Sequence, residues 1–346
     1  MRMVEKVISE CSEGDILAAD VFNINGVTLV AKGTVINEYI KERLIDLGIE
    51  SIRICNTSVA FENSSTPYDK FKKNYKGAIL NTKNMLHDLT SGKPLDYQKV
   101  SLITSQIYKN INENDSIIRF MSEIRSSDEY TYTHCVNTAF YSMLIANWLK
   151  LSDHEINKVI QSGLLHDIGK SKIPSQILCK GGILTKEEFE VIKMHTILGY
   201  EIVETIDDID RDVKNAILLH HERIDGSGYP LKASSDCINL YTRIVAVADV
   251  FDAMTSDRVY KKRVTPFEVF EMFQTVGIGM FDIKVLRVFL NNLAAHLVGA
   301  KVILSNGEIG EIVYIPLQNL TCPIVKVAFG YVDLSQEKSI LILSMI

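Results

Sequence analysis

The alternation of apolar and polar residues predicts a small α/β module at the start of the chain. Two β-rich runs flank Asn25-Gly26, a dipeptide typical of a tight hairpin turn. The apolar spacing then becomes helical over residues 37–47, and residues 51–55 have the pattern of a short strand. We therefore assign residues 1–56 to one small module that combines strands with a helix.

The middle of the chain has the apolar spacing of helices. Residues 56–67 are rich in Asn, Ser and Thr, so residues 57–98 are expected to form a linker and a connecting helix. From residue 99 to residue 298 the helical pattern is nearly continuous. Two capping boxes mark helix starts within it: Thr185 with Glu188, whose helix is predicted to run towards Tyr200, and Thr265 with Glu268.

The last segment, residues 299–346, consists of short β-rich runs separated by turns. Strands are predicted over residues 301–304, 310–315, 324–329 and 339–343. The whole chain therefore predicts a mainly α fold, in which a helical domain lies between a small α/β N-terminal module and a small β-rich C-terminal tail.

Composition narrows the class of protein. The chain has 346 residues, of which 47% are hydrophobic, and a net charge of −6. This acidity argues against a general binder of DNA, RNA or membrane surfaces, which is normally basic. The sequence starts without the apolar core of a signal peptide and contains no run of ~18 apolar residues, so no membrane span is expected. Six scattered cysteines without a C-x-x-C pair are typical of reduced thiols and favour a cytoplasmic protein.

Histidines and carboxylates interrupt the apolar helices of the middle segment. Six of the eight histidines lie between positions 134 and 221, and five of them are candidate ligands: His134, His166, His195, His220 and His221. Asp167 follows His166, and Asp249 lies in the apolar run 244–251, where a carboxylate is costly to bury unless it is paired or coordinated. Each residue alone is more often a hydrogen-bonded core or surface group, but the combination favours a metal site. Imidazole and carboxylate ligands suit Fe, Mn, Zn or Ni.

The adjacency of His220 and His221 favours two metal ions over one. Neighbouring residues of a helix point about 100° apart, so both side chains are hard to bring to a single ion. Two ions can use both histidines, with a carboxylate such as Asp167 bridging them. A pair of ions about 3.5–4 Å apart can share a hydroxide and clamp a phosphoryl group in line with it.

Two motifs resemble those of a known family. Residues 166–170 are HDIGK and residues 220–230 are HHERIDGSGYP, which match H-D-x-G-K and H-H-E-x-x-D-G-x-G-Y-P in full. These are the hallmarks of the HD-GYP family of bacterial cyclic-dinucleotide phosphodiesterases, and residues 249–254 and 256–261 continue the resemblance. The similarity covers roughly residues 100–298 and implies an HD-type helical bundle.

The resemblance implies a centre of two or three metal ions, which in the family are iron or manganese. Position by position, it implies the ligands His134, His166, Asp167, His195, His220, His221 and Asp249, with Asp167 as the bridge. Members with a third ion have a glutamate four residues before the first histidine, where this chain has Tyr130. The adjacent Glu129 would point elsewhere on a helix, so we expect a binuclear centre.

Basic residues near the motifs are candidates to hold an anionic substrate. Lys170 lies four residues after His166 and is expected to take part in catalysis and to contact phosphate. Arg258 and Lys261 are three residues apart and would share a helical face, from which they can bind phosphate. The alternative for each is a solvated cation at a helix end or in a basic turn.

The loop at residues 223–230 is expected to border the same site. Tyr229 would either stack on a guanine or anchor the loop on the core, and Arg223 is expected to pair with Asp225 and shape the loop. The resemblance extends the expected contacts to Asp252. The predicted substrate-binding residues are Lys170, Arg223, Tyr229, Asp252, Arg258 and Lys261.

The resemblance implies a cyclic di-GMP phosphodiesterase that needs no protein nucleophile. A metal-bound hydroxide would cut the substrate to pGpG and further to GMP, with Asp167 and Lys170 as catalytic residues. Two alternatives stay open: a receptor that binds cyclic di-GMP without hydrolysis, and a phosphodiesterase for another cyclic dinucleotide such as 3′,3′-cyclic GMP-AMP. Tight binding without turnover would indicate the receptor, and competition assays would separate the substrates.

The resemblance also implies partners. In some members the loop contacts diguanylate cyclase (GGDEF) domains, which are therefore candidate partners here. For the two end segments, residues 1–56 and 299–346, we favour scaffolding or formation of a homodimer over ligand sensing. The sequence gives no indication of an input signal.

Overall fold

The computed structural model describes residues 3–22, 28–55, 67–112, 117–118, 120–121, 130–257 and 263–346. Contacts between residues group the chain into two compact units. The terminal unit consists of Met1–Ser64, Thr265–Glu271 and Phe289–Ile346, and the helical unit consists of Ser65–Val264 and Met272–Val288. Both end segments of the sequence therefore belong to one unit.

Antiparallel strands and one short helix dominate the terminal unit. Its elements are β1 (Met3–Val7), β2 (Ile16–Leu17), β3 (Val21–Phe22), β4 (Thr28–Val30), α1 (Glu38–Asp46), β5 (Ser51–Cys55), β6 (Lys301–Leu304), β7 (Ile309–Tyr314), β8 (Ile324–Val327), β9 (Gly330–Asp333) and β10 (Ile342–Met345). The strands pair in the orders β1-β5-β2, β3-β4 and β10-β6-β7-β8-β9. Asn37 caps α1, because its side chain accepts a hydrogen bond from the backbone N–H of Ile40.

Helices build the helical unit. They are α2 (Pro67–Thr90), α3 (Tyr97–Tyr108), α4 (Tyr130–Trp148), α5 (Asp153–Leu165), α6 (Ser175–Leu178), α7 (Lys186–Lys193), α8 (His195–Glu204), α9 (Arg211–Leu219) and α10 (Leu240–Thr255). Two more helices, α11 (Pro266–Gln274) and α12 (Ile283–Leu297), have residues in both units. Within the helical unit α4 packs against α2, α5 and α10. Its apolar side chains, such as Val136, Phe140 and Leu144, are buried, so α4 is the central helix of this unit.

The structure confirms the mainly α fold class, with a small sheet near the start of the sequence and strands in its last segment. The four predicted domains remain a prediction, since a compact unit is not by itself a domain. The first and last segments nevertheless share hydrogen bonds. The Asn37 side-chain amide donates to the Val313 carbonyl at 2.9 Å, and the Tyr314 hydroxyl donates to the Leu29 carbonyl at 2.8 Å. Val298 and Tyr314 also pack on the apolar core beneath α1.

Most local predictions are confirmed, but the bounds of one helix and two strands are wrong. The strand predicted over 339–343 forms at Ile342–Met345. Both capping boxes form, but the helix predicted to reach Tyr200 ends at Lys193, and α8 starts at His195. The strand predicted over 324–329 ends at Val327, where the chain turns back into β9. The antiparallel pairing of β3 with β4 confirms the hairpin.

Two sequence predictions lie wholly or largely outside the described residues. They concern the Asn25-Gly26 turn and the linker at residues 56–67, of which only Pro67 is described. Among the described residues, no helix is both long and apolar enough to cross a membrane.

Candidate metal centre

The structure brings the seven predicted ligands together in the helical unit. They lie on or beside five helices: His134 on α4, His166 and Asp167 after α5, His195 at the start of α8, His220 and His221 after α9, and Asp249 on α10. All of them are buried except His221, which is half-buried. So many titratable side chains in an apolar interior require mutual pairing or coordination.

The local sequence of α5 explains how His166 and Asp167 reach the centre. A capping box fixes the first turn, in which the Ser152 backbone N–H donates to Glu155 Oε2 at 2.9 Å. The helix then continues along an apolar, buried face and ends at His166. Asp167 follows at the start of a short 3₁₀ turn, so the two ligands are held side by side.

One group of ligand atoms comes from His134, His166 and Asp167, which lie within 4.8 Å of one another. The Nε2 atoms of the two histidines are 3.3 Å apart. Asp167 Oδ2 is 3.6 Å from His134 Nε2 and 3.3 Å from His166 Nε2. Asp249 adds its Oδ1 atom, which lies 3.1 Å from His134 Nε2.

A second group comes from Asp167, His195, His220 and His221, again within 4.8 Å of one another. His195 Nε2 is 3.3 Å from Asp167 Oδ1 and 3.2 Å from His220 Nε2. His221 Nδ1 lies 3.8 Å from Asp249 Oδ2. Asp167 therefore offers Oδ2 to the first group and Oδ1 to the second.

Hydrogen bonds on the far ring nitrogens determine how three histidines face the centre. Nδ1 of His166, His195 and His220 lies 2.6–2.9 Å from the backbone carbonyl three residues earlier. A carbonyl can only accept, so each Nδ1 carries the proton and each Nε2 directs a lone pair at the centre. The Nε2 lone pairs of His195 and His220 face one another at 3.2 Å, and they repel unless a cation lies between them.

The surroundings also set the charges of the ligands. Burial by itself would raise the pKa of Asp167, but Lys170 and the adjacent imidazoles hold this pKa well below its usual range. The pKa of Asp249 is also held well below its usual range, because contacts with His134 and His221 outweigh burial. Burial lowers the pKa of His221 to about 3, which leaves this imidazole neutral near pH 7. Anionic carboxylates and neutral imidazoles are the forms that bind metals.

His134 differs from the other histidines because it lies between two carboxylates. Burial would lower its pKa, but hydrogen bonds to Asp249 and Asp252 outweigh burial and raise the pKa to about 9. The two carboxylates therefore favour a positive charge on or beside the His134 ring, next to Asp249.

An unsatisfied oxygen supports a metal at this centre. Asp167 Oδ1 is buried, yet it accepts no hydrogen bond from any residue in the described part of the chain. A buried carboxylate oxygen without a partner is costly, and coordination to a cation removes that cost. Together with the imidazoles it forms a donor set that suits several first-row divalent metals. The residues present therefore fit a metal ion.

Lys170 contacts the carboxylate that the two groups share. Its Nζ donates to Asp167 Oδ2 at 2.5 Å, and 24% of its side chain is exposed. An ammonium has three donors, so Lys170 can also reach an acceptor at the open margin of the centre.

Glu222 holds the loop that follows the histidine pair, a role that the sequence alone does not indicate. Its buried carboxylate accepts hydrogen bonds from the backbone N–H groups of Leu231 and Ala233, at 2.6 and 3.1 Å. A carboxylate that closes the loop in this way fixes the backbone on both sides of the GYP residues. The signal for Glu222 in the sequence is its position directly after the two histidines that are candidate metal ligands.

Tyr229 packs against one of the candidate metal ligands. Its ring stacks on that of His221, with centroids 4.7 Å apart, and Lys193 Nζ lies 5.4 Å from the Tyr229 centroid. This arrangement supports the anchoring function of Tyr229 over stacking on a base.

The predicted pair of Arg223 with Asp225 is wrong. The guanidinium of Arg223 lies 4.7 Å from the centroid of the Phe281 ring, and burial lowers its pKa. Asp225 instead accepts hydrogen bonds from the backbone N–H and the hydroxyl of Ser227, at 2.9 and 2.6 Å. A local turn, and not an ion pair, therefore shapes this part of the loop.

The resemblance predicts that Asp252 contacts substrate, but the structure places it behind His134. Asp252 is 2% exposed, and its Oδ2 atom lies 2.7 Å from His134 Nδ1. Its Oδ1 atom accepts hydrogen bonds from Asn137 and Ser256, at 2.8 and 3.0 Å. Both oxygens are thus engaged within the helical unit, and the substrate contact of Asp252 stays a prediction.

Several predicted residues lie outside the described part of the chain. They are Arg258, Lys261, Glu129 and the side chain of Tyr130. Their expected contributions to phosphate binding and to the number of metal ions stay predictions.

Comparisons with known proteins identify the domain. Residues 120–285 match the HD domain family. A cyclic di-GMP phosphodiesterase of Pseudomonas aeruginosa is 35% identical over 247 residues, which cover 71% of this chain and 59% of that protein. A cyclic di-GMP phosphodiesterase of Thermotoga maritima is 38% identical over 175 residues, which cover 50% of this chain and 47% of that protein. Two further relatives, from Vibrio cholerae, are 3′3′-cGAMP-specific phosphodiesterases.

The chain thus spans about half the length of these two cyclic di-GMP phosphodiesterases, 59% and 47%. Among solved structures, a HDG"Y"P protein from Bdellovibrio bacteriovorus matches with a TM-score of 0.55 and 16% identity, and covers 84% of this chain and 99% of that one. At this identity the likeness shows the fold alone. The HD domain implies a divalent metal ion, and the cluster of histidines and aspartates can hold one. With both motifs complete and their histidines in one buried centre, residues 120–285 form an HD domain with the motifs of the HD-GYP branch.

Proposed function

We propose that this chain hydrolyses a cyclic dinucleotide, with cyclic di-GMP as the first candidate, at a centre of two divalent metal ions. The observation that carries the proposal is the carboxylate of Asp167, which offers one oxygen to each of two neighbouring ligand groups. The substrate class is supported by the names of the relatives, which are phosphodiesterases of cyclic dinucleotides.

The two groups define which residues would hold which ion. One ion would be held by His134, His166, Asp167 and Asp249, and the other by Asp167, His195, His220 and His221. When bound, ions of this kind polarise phosphoryl oxygens and activate water. Iron and manganese are the metals to test first, because the donor set suits both.

The protein side chains position the ligands and balance the negative charge of the substrate. Lys170 holds Asp167 in place and, at the open margin, can balance the charge of a phosphate oxygen. Such local charge matters because the chain carries a net charge of −6 and its proposed substrate is an anion. Arg258 and Lys261 are proposed to add phosphate contacts, and Arg223 and Tyr229 to border the substrate.

The proposal includes finer statements that rest on the family resemblance. The first product would be pGpG, with GMP after a second cut. GGDEF-domain proteins are proposed as partners of the loop at 223–230, a homodimer as the assembly, and the cytoplasm as the location.

Turnover of cyclic di-GMP is the direct test. Protein purified without oxygen and loaded with Fe²⁺ or Mn²⁺ should convert cyclic di-GMP to pGpG. Chromatography of the products measures this conversion. Asp167→Asn should lower kcat by more than about 100-fold, because the loss of a group that contacts the ions exceeds the 10–100-fold typical of outer partners.

Asp208→Asn is the matched control, since Asp208 is exposed and lies outside the centre. It should leave kcat unchanged. Loaded protein that turns over no cyclic dinucleotide, or equal rates for Asp167→Asn and the unmodified protein, would contradict the proposal.

The second candidate is the same chemistry on 3′,3′-cyclic GMP-AMP, which the cGAMP-specific relatives favour. Equal concentrations of both cyclic dinucleotides in one reaction give the ratio of their kcat/KM values directly. If kcat/KM is higher for cyclic GMP-AMP than for cyclic di-GMP, cyclic GMP-AMP is the preferred substrate. Tight binding of either dinucleotide without turnover would instead indicate a receptor.

A further inference from the structure

A chain of buried hydrogen bonds leads from helix α2 to the metal-binding side chain of His134. The Tyr75 hydroxyl donates to Asn137 Oδ1 at 2.7 Å, and Asn137 Nδ2 donates to Asp252 Oδ1 at 2.8 Å. Asp252 Oδ2 lies 2.7 Å from His134 Nδ1. The four side chains belong to α2, α4 and α10 and are between 2% and 5% exposed.

The direction of each bond follows from the chemistry of its groups. The two oxygens of Asp252 accept, one from Nδ1–H of His134 and the other from the side-chain amide of Asn137. A flipped Asn137 would place its oxygen against that carboxylate, which is repulsive. In the orientation observed, the side-chain oxygen of Asn137 faces Tyr75. The Tyr75 phenol is kept neutral because burial raises its pKa.

We propose that Asp252, Asn137 and Tyr75 are positioning residues for His134, so that helix α2 takes part in forming the metal centre. The carboxylate keeps the Nδ1 proton of His134 in place, which leaves the Nε2 lone pair for a metal ion. It also makes the imidazole a stronger donor. Asn137 and Tyr75 fix the carboxylate in the orientation that does this. The inference rests on the proposed metal centre and is independent of which dinucleotide is cut.

Packing alone does not explain the tyrosine. Tyr75 lies in an aromatic cluster in which its ring centroid is 5.9 Å from those of Phe71 and Phe140. A phenylalanine would fill the same space, but it would leave the oxygen of a buried amide without a donor. The hydroxyl is therefore the part of Tyr75 that serves the centre.

Metal affinity tests the proposal without reference to turnover. Mn²⁺ alone is titrated into metal-free full-length protein by calorimetry, for the unmodified chain, Asp252→Asn, Tyr75→Phe and the double variant. Asp252→Asn should weaken Mn²⁺ binding by about 10–100-fold, the range for partners that orient a ligand. Tyr75→Phe should weaken it several-fold, and the double variant should lose less than the product of the two single effects.

Phe71→Leu is the matched control, since it removes packing next to Tyr75 but no hydrogen bond of the chain. It should lower the thermal midpoint by at least as much as Tyr75→Phe, and its Mn²⁺ affinity should stay that of the unmodified protein. Unchanged Mn²⁺ affinity in Asp252→Asn overturns the proposal. So do additive effects of the two variants, or a loss of affinity in Phe71→Leu equal to that in Tyr75→Phe. If Asp252→Asn does not fold, the comparison of Mn²⁺ affinity between Tyr75→Phe and Phe71→Leu decides the question by itself.

Discussion

Gly169, inside the HDIGK motif, lies where the backbone comes closest to helix α8. A Cβ atom at this position would be 1.9 Å from the His195 carbonyl oxygen and 2.4 Å from the Gly199 nitrogen. Both neighbours are backbone atoms and cannot turn aside. The glycine therefore allows the segment that carries Asp167 to lie directly against the start of the helix that carries His195.

Gly169→Ala is expected to lower both stability and metal affinity. The added methyl group must push α8 away, which should lower the free energy of unfolding by about 3 kcal/mol, the upper part of the range for overpacking. Urea denaturation measures this change, and Mn²⁺ titration measures the effect on the centre.

Gly182→Ala serves as the control, because among the described residues no heavy atom lies within 4 Å of a Cβ atom there. Its free energy of unfolding should stay within about 1 kcal/mol of the unmodified value. Equal unfolding curves for the two variants would show that the close approach at Gly169 does not exist in solution.

The candidate metal ligands could be predicted from the sequence because contiguous motifs contain most of them. Their partners were not, since these depend on which helices pack together. Tyr75 and Asn137 are 62 residues apart in sequence and meet only because α2 packs on α4. Asn137 carried a usable signal, a polar residue three positions after His134 on an apolar helix, whereas Tyr75 carried none.

Helix α5 shows how an element positions the site from its far end. Its capping box at Ser152 and Glu155 satisfies the first backbone N–H groups, and its last turn leads directly to His166 and Asp167. The cap contributes stability to the helix, and the ligands at the other end depend on the helix being complete.

Ser152→Ala should therefore reduce stability without a direct effect on the centre. The loss of an N-cap hydroxyl costs about 1 kcal/mol of the free energy of unfolding, as measured by urea denaturation. Mn²⁺ affinity should remain unchanged, because α5 stays folded under native conditions. Ser91→Ala, at an exposed turn, is the control and should change stability by less than about 0.5 kcal/mol. A Ser152→Ala protein as stable as this control would refute the role of the cap.

Elements with local signals were predictable, and those set by tertiary contacts were not. The predicted strands over residues 51–55 and 301–304 match β5 and β6, because alternation marks both. The boundary between α7 and α8 at Met194 contains neither glycine nor proline, and the helical apolar spacing continues through it. The sequence therefore predicted one helix there. Strand β9 was missed because its first residue, Gly330 with a φ of +134°, is a single glycine and gives only a weak signal for the turn before the strand.

At the scale of the molecule, the terminal unit depends on residues from both end segments of the sequence. The contacts of Asn37 with Val313 and of Leu29 with Tyr314 link segments that are far apart in sequence. Tyr39 also lies against Tyr331, with ring centroids 5.1 Å apart. The sequence pattern gave two separate modules, because no local signal reports a contact across nearly the whole chain.

Removal of residues 299–346 should therefore unfold more than the tail itself. Without Val313 and Tyr314, the described residues of the first segment lose hydrogen-bond partners and part of their apolar cover. We expect backbone amides of α1 and β5 to exchange hydrogen at least about tenfold faster than in the intact chain, the effect of losing about 1.4 kcal/mol of local stability. Mass spectrometry of exchanged peptides provides the measurement.

Tyr314→Phe gives a graded control, since it keeps the ring and removes only the hydrogen bond to Leu29. Its exchange rates in α1 should lie between those of the intact and shortened chains. Identical protection of α1 in all three proteins would mean that the first segment folds by itself.

The shared terminal unit also sets an order of events on the ribosome. Tyr314 is made about 260 residues after Cys55, which at 5–20 residues per second is roughly 10–50 s later. During that interval the Leu29 carbonyl and the apolar side chains beneath α1 have no partner from the last segment. The apolar core of the first segment is therefore completed only after residues 299–346 have been translated, and part of it stays uncovered during that interval.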